Sequence, residues 1–148
     1  MFVKRSLRWF AVAAVALVLA GPVSAQQTRE RITAEQLTGL LKDKGLEGQV
    51  NERGNVIVTA NGSKIVFFIS GQTLQAYFGL SGTSANVTTI NDWNKSKRFG
   101  RAYIDGDGDP CVELDYDLEG GVTDDNIKVW FDTVTAIVRS FRTHVSAK

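Results

Sequence analysis

An acidic run, Asp105-Gly106-Asp107-Gly108-Asp109, has the spacing in this chain that comes nearest to a metal site. Carboxylates at alternate positions open an EF-hand calcium loop, which then requires Gly at position 6 and Glu at position 12. This chain has Pro110 and Tyr116 at those positions. The run is therefore predicted to be a hairpin turn with Asp107-Gly108 at its tip, a favoured two-residue loop. Weak surface binding of Ca²⁺ is the alternative.

That turn would fix the register of the two strands beside it. The predicted pairs are Tyr103 with Val112, Arg101 with Leu114 and Phe99 with Tyr116. Glu113, Asp115 and Asp117 would then share the other face, where paired carboxylates could perform acid–base chemistry if burial separated their pKa values. Gly100 and Ala102 would lie opposite them and offer no apolar cover. We therefore expect a solvated acidic face.

Cys111 and His144 are the chain's only cysteine and histidine. A thiol and an imidazole can act as nucleophile and base, but His144 is the fifth residue from the chain end, where fraying is usual, and we expect nothing to orient it. Neither residue type forms a cluster with metal-ligand spacing. The sequence predicts no catalytic residue, no metal site and no cofactor, and it predicts that Cys111 is buried, with an intermolecular disulfide as the alternative.

The first 25 residues have the pattern of a signal peptide. Lys4, Arg5 and Arg8 precede an apolar segment over residues 9–20, and Val23-Ser24-Ala25 supplies small residues before a cut. The apolar segment is shorter than the roughly 20 residues that span a bilayer. We expect cleavage after Ala25 and a periplasmic or secreted mature chain, residues 26–148.

Export also changes the charge of the protein. Residues 1–25 hold three of the 17 Lys and Arg residues and none of the 16 Asp and Glu residues, which leaves 14 against 16 and a net charge near −2. Such a nearly neutral domain has no electrostatic footprint for nucleic acid or for an anionic membrane. We therefore expect a partner that is recognised by shape and local contacts.

The mature chain is predicted to be one α+β domain. Thr33 to Gln36 forms a capping box before a short helix, and Asn61-Gly62 indicates a tight hairpin. The predicted order is α-β-β-β-β-α-β-β-α, an antiparallel meander sheet with helices packed on one face.

The final helix carries the longest apolar stripe in the chain. Its members follow helical spacing: Ile127, Trp130, Phe131, Val134, Ile137, Val138 and Phe141. Core packing explains most of such a stripe. Because Trp130 and Phe131 are adjacent and point about 100° apart, part of this surface, namely Trp130, Phe131, Val134 and Val138, is predicted to contact a protein partner.

Several segments in the second half of the chain resemble one known family. They are Asn91-Asp92-Trp93-Asn94, Arg98-Phe99-Gly100-Arg101-Ala102-Tyr103, residues 112–118, and Gly120-Gly121-Val122-Thr123 before the long helix. These segments resemble the YbjN family, whose members are labelled bacterial sensory transduction regulators. The resemblance implies a fold like that of the type III secretion chaperones, which pair as homodimers, and it carries over no catalytic residues.

Together these features predict a non-enzymatic exported domain that binds a protein segment and forms a homodimer. Two alternatives stay open. One is a small-ligand sensor with a closed apolar pocket between sheet and helices, and the other is an enzyme that uses the acidic hairpin face, with or without a metal. An apolar groove at an exposed sheet edge would favour the first hypothesis over both.

Overall fold

The computed structural model describes residues 27–146 of the chain. The predicted signal peptide lies outside these residues. The described residues form three helices, α1 (Ala34–Asp43), α2 (Val87–Ser96) and α3 (Asp124–Ser146). The strands are β1 (Thr28–Arg29), β2 (Gly48–Val50), β3 (Val56–Ala60), β4 (Ser63–Ser70), β5 (Thr73–Gly79), β6 (Arg101–Ile104), β7 (Pro110–Asp117) and β8 (Val122–Thr123).

Six of the strands form one antiparallel sheet in the order β2-β3-β4-β5-β7-β6. The chain passes from β5 through α2 and β6 before it returns to pair β7 with β5. Strand β6 therefore pairs with β7 alone and lies at one end of the sheet. This architecture confirms the predicted α+β class and element order. Its consequence for function is that the end of the sheet near β6 is built from the last hairpin alone.

The helices pack on one face of the sheet because alternate strand residues are apolar. Val58, Ile65 and Phe67 are at most 2% exposed and belong to the same core as the apolar stripe of α3. Phe67 contacts two aromatic residues of that stripe, with ring centroids 5.8 Å from Trp130 and 5.5 Å from Phe131. Three aromatic rings therefore fasten α3 to the middle of the sheet.

Local sequence explains the main boundaries. Thr33 and Gln36 form the predicted reciprocal capping box at the start of α1. Asn61 and Gly62 both have positive φ, 51° and 72°, as the tight turn between β3 and β4 requires. Thr123 caps α3 by accepting a hydrogen bond from the Asn126 amide at 3.2 Å.

A two-residue ladder between β1 and β8 was not predicted from the sequence. Thr28 pairs with Thr123 and Arg29 with Val122. Arg29 also donates two hydrogen bonds to the Asp124 carboxylate, at 2.6 and 2.8 Å. These contacts anchor the beginning of the described chain beside the start of α3. Within residues 27–146 no helix is both long enough and apolar enough to cross a membrane.

Candidate functional site: an open strand edge beside an apolar groove

Strand β7 is longer than its outer neighbour β6. On one side β7 pairs with β5 along its length from Cys111 to Asp117, whereas on the other side β6 pairs only with Pro110 to Glu113. Within residues 27–146 no strand pairs with the remaining part of β7 on that side. The sheet therefore ends in a step, where the last four residues of β7 form the outer edge.

The hydrogen-bonding pattern shows which backbone groups point outward from this step. The Leu118 amide donates to the Gln72 carbonyl at 2.8 Å, and the Leu80 amide donates to the Pro110 carbonyl at 3.0 Å. Even-numbered residues of β7 thus direct their backbone groups towards β5, and odd-numbered residues direct theirs the other way. The N–H and C=O groups of Asp115 and Asp117 consequently face outward, and we call these four groups the open edge.

The outer side of β6 is covered at its second residue, Ala102. The side chain of Asn94, in α2, donates to the Ala102 carbonyl at 3.0 Å and accepts from the Ala102 amide at 3.1 Å. One side chain therefore occupies both outward-facing groups at the middle of β6. A peptide that approached this end of the sheet would find free backbone groups on β7 and not at Ala102.

Gly100 explains why β6 begins late. Its φ is +82°, in the left-handed region, and a Cβ there would lie 2.9 Å from Val112 and 3.0 Å from Ile137. The preceding chain is turned off the sheet edge onto the helices, where the Trp93 indole approaches the Gly100 carbonyl at 3.4 Å. Strand pairing that sequence alone placed from Phe99 onward therefore starts at Arg101, and Phe99 is 60% exposed.

An apolar groove of about 520 Å³ borders the open edge, and we call it the edge groove. It lies between residues 98–101, residues 113–116 of β7 and the first half of α3. Its apolar lining comes mainly from five side chains: Phe99, Leu114, Tyr116, Val129 and Trp130. The volume falls within the range of about 300–1,000 Å³ that is usual for ligand pockets.

Exposed apolar residues gather at this groove. Among residues 27–146 the large apolar side chains that are clearly exposed are Val50, Val87, Phe99 and Val129, and two of them line the edge groove. Beneath them Tyr116 stacks on Trp130, with ring centroids 5.2 Å apart and planes 16° apart. Burial raises the pKa of Tyr116. The groove thus has a fixed aromatic floor and an exposed apolar rim.

The four residues predicted to contact a partner lie in the core of the monomer. Trp130 is 7% exposed and Phe131, Val134 and Val138 are at most 3% exposed. Trp130 alone of the four also lines the edge groove. The sequence did not single out Phe99, Val129 or the open edge. The exposure of Phe99 and of the open edge depends on where Gly100 turns the chain, which no local pattern shows.

The register predicted for the last hairpin is wrong by one residue. Arg101 pairs with Glu113 and Tyr103 with Cys111. Beyond the last ladder pair, the Asp105 amide donates to the Asp109 carbonyl at 2.9 Å, which leaves a loop of three residues, Gly106 to Gly108. Gly108 adopts a φ of +85°. A type I turn followed by a left-handed Gly accounts for the extra residue. Because side chains alternate across a strand, the shift moves every partner to the opposite face.

As a result, the prediction that the whole acidic face is solvated is wrong for one residue. Glu113 is only 8% exposed. Its carboxylate accepts one hydrogen bond from Arg101 at 2.5 Å and another from the Tyr103 hydroxyl at 2.6 Å. These contacts raise the pKa of Arg101 and of Tyr103. Both oxygens of Glu113 are thus engaged in a cross-strand cluster, while Asp115 and Asp117 are exposed as expected.

The acidic run is organised by Asp105 itself. One carboxylate oxygen of Asp105 accepts from the amides of Asp107 and Asp109 at 3.0 and 2.9 Å, and the other accepts from the Tyr77 hydroxyl at 3.3 Å. Burial, followed by the charges of Cys111 and Asp105, raises the pKa of Tyr77 to about 12. Within residues 27–146 no group of His, Cys, Asp and Glu side chains is arranged to hold a metal ion.

Cys111 is fully buried, in agreement with the prediction. Its thiol lies 3.4 Å from the Tyr103 carbonyl, and burial raises its pKa. His144 is held against the rings of the core, with its Nε2 2.9 Å from the Thr89 carbonyl and its ring 5.6 Å from Trp93. The expectation that nothing orients His144 was therefore wrong, and its contacts are those of a packed side chain.

A comparison with protein-family models finds one match. The model of the YbjN family, described as "putative bacterial sensory transduction regulator", matches residues 33–147. The matched range contains the open edge and the edge groove. A search of curated proteins found no match to this chain.

Proposed function

The chain belongs to the YbjN family, and from that premise we propose that it is an exported, non-enzymatic regulator that binds an extended segment of a partner protein by strand addition along β7. Family membership supports a regulatory role. The signal-peptide pattern of residues 1–25 supports export to the periplasm. The mode of binding is argued from the sheet edge.

The observation that carries the proposal is the coincidence of the open edge with the edge groove. Outward-facing backbone groups at Asp115 and Asp117 can accept a new strand, which gains main-chain hydrogen bonds. Alternate side chains of that strand would point to the same side as Tyr116 and Leu114, which is the side of the groove. Main-chain pairing and an apolar pocket thus occur at one place.

The geometry favours this role over the two alternatives. The apolar space is a groove that runs along a sheet edge, whereas a small-ligand sensor would be expected to enclose its ligand. The most buried carboxylate on the acidic face, Glu113, is engaged by an ion pair with Arg101 and by a hydrogen bond from the Tyr103 hydroxyl. A protein segment is the occupant that uses both the open edge and the groove.

Amide hydrogen exchange on the mature domain, residues 26–148, tests this proposal directly. Peptides that alternate apolar and polar residues would be titrated into the labelled domain. We expect the amides of Asp115 and Asp117 to exchange rapidly in the free protein and to become protected on binding. The amides of Cys111 and Glu113 are already paired with β6 and serve as internal controls.

A pair of matched variants tests the groove. Val129→Glu places a charge in the groove, while Val87→Glu places the same charge at an equally exposed helical valine outside it; the two valines are 63% and 66% exposed. Peptide binding should be lost in the first variant and kept in the second. Binding that protects neither Asp115 nor Asp117, or that survives Val129→Glu, would contradict strand addition at this edge.

A further inference from the structure

The side chains that flank the open edge differ between the two faces of β7. Leu114 and Tyr116 point to the helices and line the edge groove. Asp115 and Asp117 point to the opposite face and are exposed. An added strand would therefore meet apolar side chains on one face and two carboxylates on the other, because directly opposed residues share a face.

Nearby cations offset these carboxylates only in part. Arg101 forms its ion pair with Glu113 and also interacts electrostatically with Asp115, the next residue on the same face of β7. Arg98 lines the edge groove but forms no ion pair with Asp115. The side-chain amide of Gln75 donates to Asp115 at 2.8 Å but carries no charge. Asp117 accepts from the Glu119 amide at 2.9 Å, which also adds no formal charge. Among residues 27–146 neither Asp115 nor Asp117 forms an ion pair with Lys or Arg, so both carboxylates can pair with a cation of an incoming strand.

Resting on the proposed function, we propose that the partner segment alternates basic and apolar residues, with two Lys or Arg side chains opposite Asp115 and Asp117 and an apolar or aromatic side chain between them. The intervening residue lies opposite Tyr116 and enters the edge groove. Opposite charges across a strand pair stabilise it and like charges destabilise it. The recognised class is therefore a basic amphipathic β-strand.

Three end-capped peptides of equal length test this chemistry. Each alternates valine with one polar residue, which is Lys, Glu or Ser, and carries one central Phe at an apolar position. Affinity for the mature domain would be measured by fluorescence polarisation at low ionic strength. Two favourable pairs replacing two unfavourable ones should make the Lys peptide bind about tenfold or more tighter than the Glu peptide. The Ser peptide should lie between them.

Charge-neutralising variants identify the responsible residues. Asp115→Asn with Asp117→Asn keeps an oxygen for the Gln75 and Glu119 contacts but removes both charges. This double variant should bind the Lys and Glu peptides equally. Glu52→Gln with Asp107→Asn changes the net charge by the same amount at exposed positions elsewhere, and it should keep the preference.

The outcomes separate this inference from the proposed function. If Lys and Glu peptides bind wild type equally, and Val129→Glu still abolishes binding, strand addition stands and the charge preference is overturned. If the preference exists but persists in the Asp115 and Asp117 variant, the assignment to these residues is overturned. If none of the three peptides protects the Asp115 and Asp117 amides, both proposals fail.

Discussion

Trp130 stacks on Tyr116 with a centroid distance of 5.2 Å, so one residue of α3 is joined both to the core and to the floor of the edge groove. On its other side the Trp130 ring lies 5.8 Å from Phe67. Because its ring packs between Phe67 and Tyr116, we expect Trp130 to contribute mainly to the stability of the fold.

Truncating Trp130 should therefore destabilise the monomer. Trp130→Ala removes a side chain that is 7% exposed and is expected to lower the free energy of unfolding by about 3–5 kcal/mol. Val129→Ala, at the exposed neighbouring position, should change it by less than about 0.5 kcal/mol. Urea denaturation of both variants measures the difference. Equal and small effects would mean that Trp130 is not part of the core.

The homodimer expected from the sequence stays a prediction. We expect sedimentation equilibrium of the mature wild type at tens of micromolar to show a dimer. Because Trp130 is buried within one copy, Trp130→Ala should leave the association constant unchanged wherever the variant is still folded. A wild type that sediments as a monomer would rule out the dimer. A dimer that Trp130→Ala dissociates would place this side chain at the interface.

Alkaline pH should destabilise the fold through Cys111 and three tyrosines, Tyr77, Tyr103 and Tyr116. The pKa of each is raised in the folded protein, that of Tyr77 to about 12, so folding favours their neutral forms. The associated stability is complete below the unfolded pKa values and is lost as pH rises through the folded ones. The midpoint of urea unfolding should fall between pH 9 and pH 12.

A double variant assigns this alkaline loss. Tyr77→Phe with Tyr103→Phe removes two of the four titrating groups, so its midpoint should fall less over the same pH interval, although it starts lower because Glu113 loses one hydrogen bond. An identical pH dependence in wild type and variant would assign the loss to other groups.

Calcium should not stabilise the protein. The Asp105 carboxylate already accepts hydrogen bonds from two amides and the Tyr77 hydroxyl, so it is not free to coordinate an ion without breaking the turn. A site with a micromolar dissociation constant would add about 4 kcal/mol at a thousandfold excess of ligand. Thermal unfolding with and without millimolar Ca²⁺ should give the same melting temperature. A rise of several degrees would show that a site exists.

Export should remove residues 1–25. Mass spectrometry of the periplasmic protein is expected to find a chain that begins at Gln26, two residues before the first paired residue, Thr28. Replacing Ala25 by Phe should block the cut, because the position before it requires a small side chain. An intact amino terminus on a soluble cytoplasmic species would contradict export.

The sequence predicts the elements of this fold better than it predicts their edges. Thr33 and Gln36 at α1, Asn61-Gly62 between strands, and Thr123 at α3 act through neighbouring atoms, so their patterns can be read locally. The stripe of α3 was likewise correctly placed. The sequence does not show which surface packs against this stripe. For that reason it could not show that Trp130, Phe131, Val134 and Val138 are buried within the monomer.

The candidate site depends on how β6 and β7 are aligned, and a shift of one residue changes which side chains meet. Asp107-Gly108 is a good two-residue turn, yet the Asp105 carboxylate binds the Asp107 and Asp109 amides and selects a three-residue loop. That choice places Arg101 beside Glu113. The step in the sheet also requires the chain to turn away at Gly100, where Val112 and Ile137 leave no room for a side chain. Because these residues are far from Gly100 in sequence, no local pattern predicts the turn.

Asp115 and Asp117 should also affect how copies of this protein interact with each other at high concentration. Exposed strand edges are templates for edge-to-edge stacking and aggregation. If two molecules joined through their open edges, four aspartates would be brought together across the new seam, and their repulsion would oppose the pairing. The same two carboxylates would thus keep concentrated protein soluble while leaving its edge available to a chain of opposite charge.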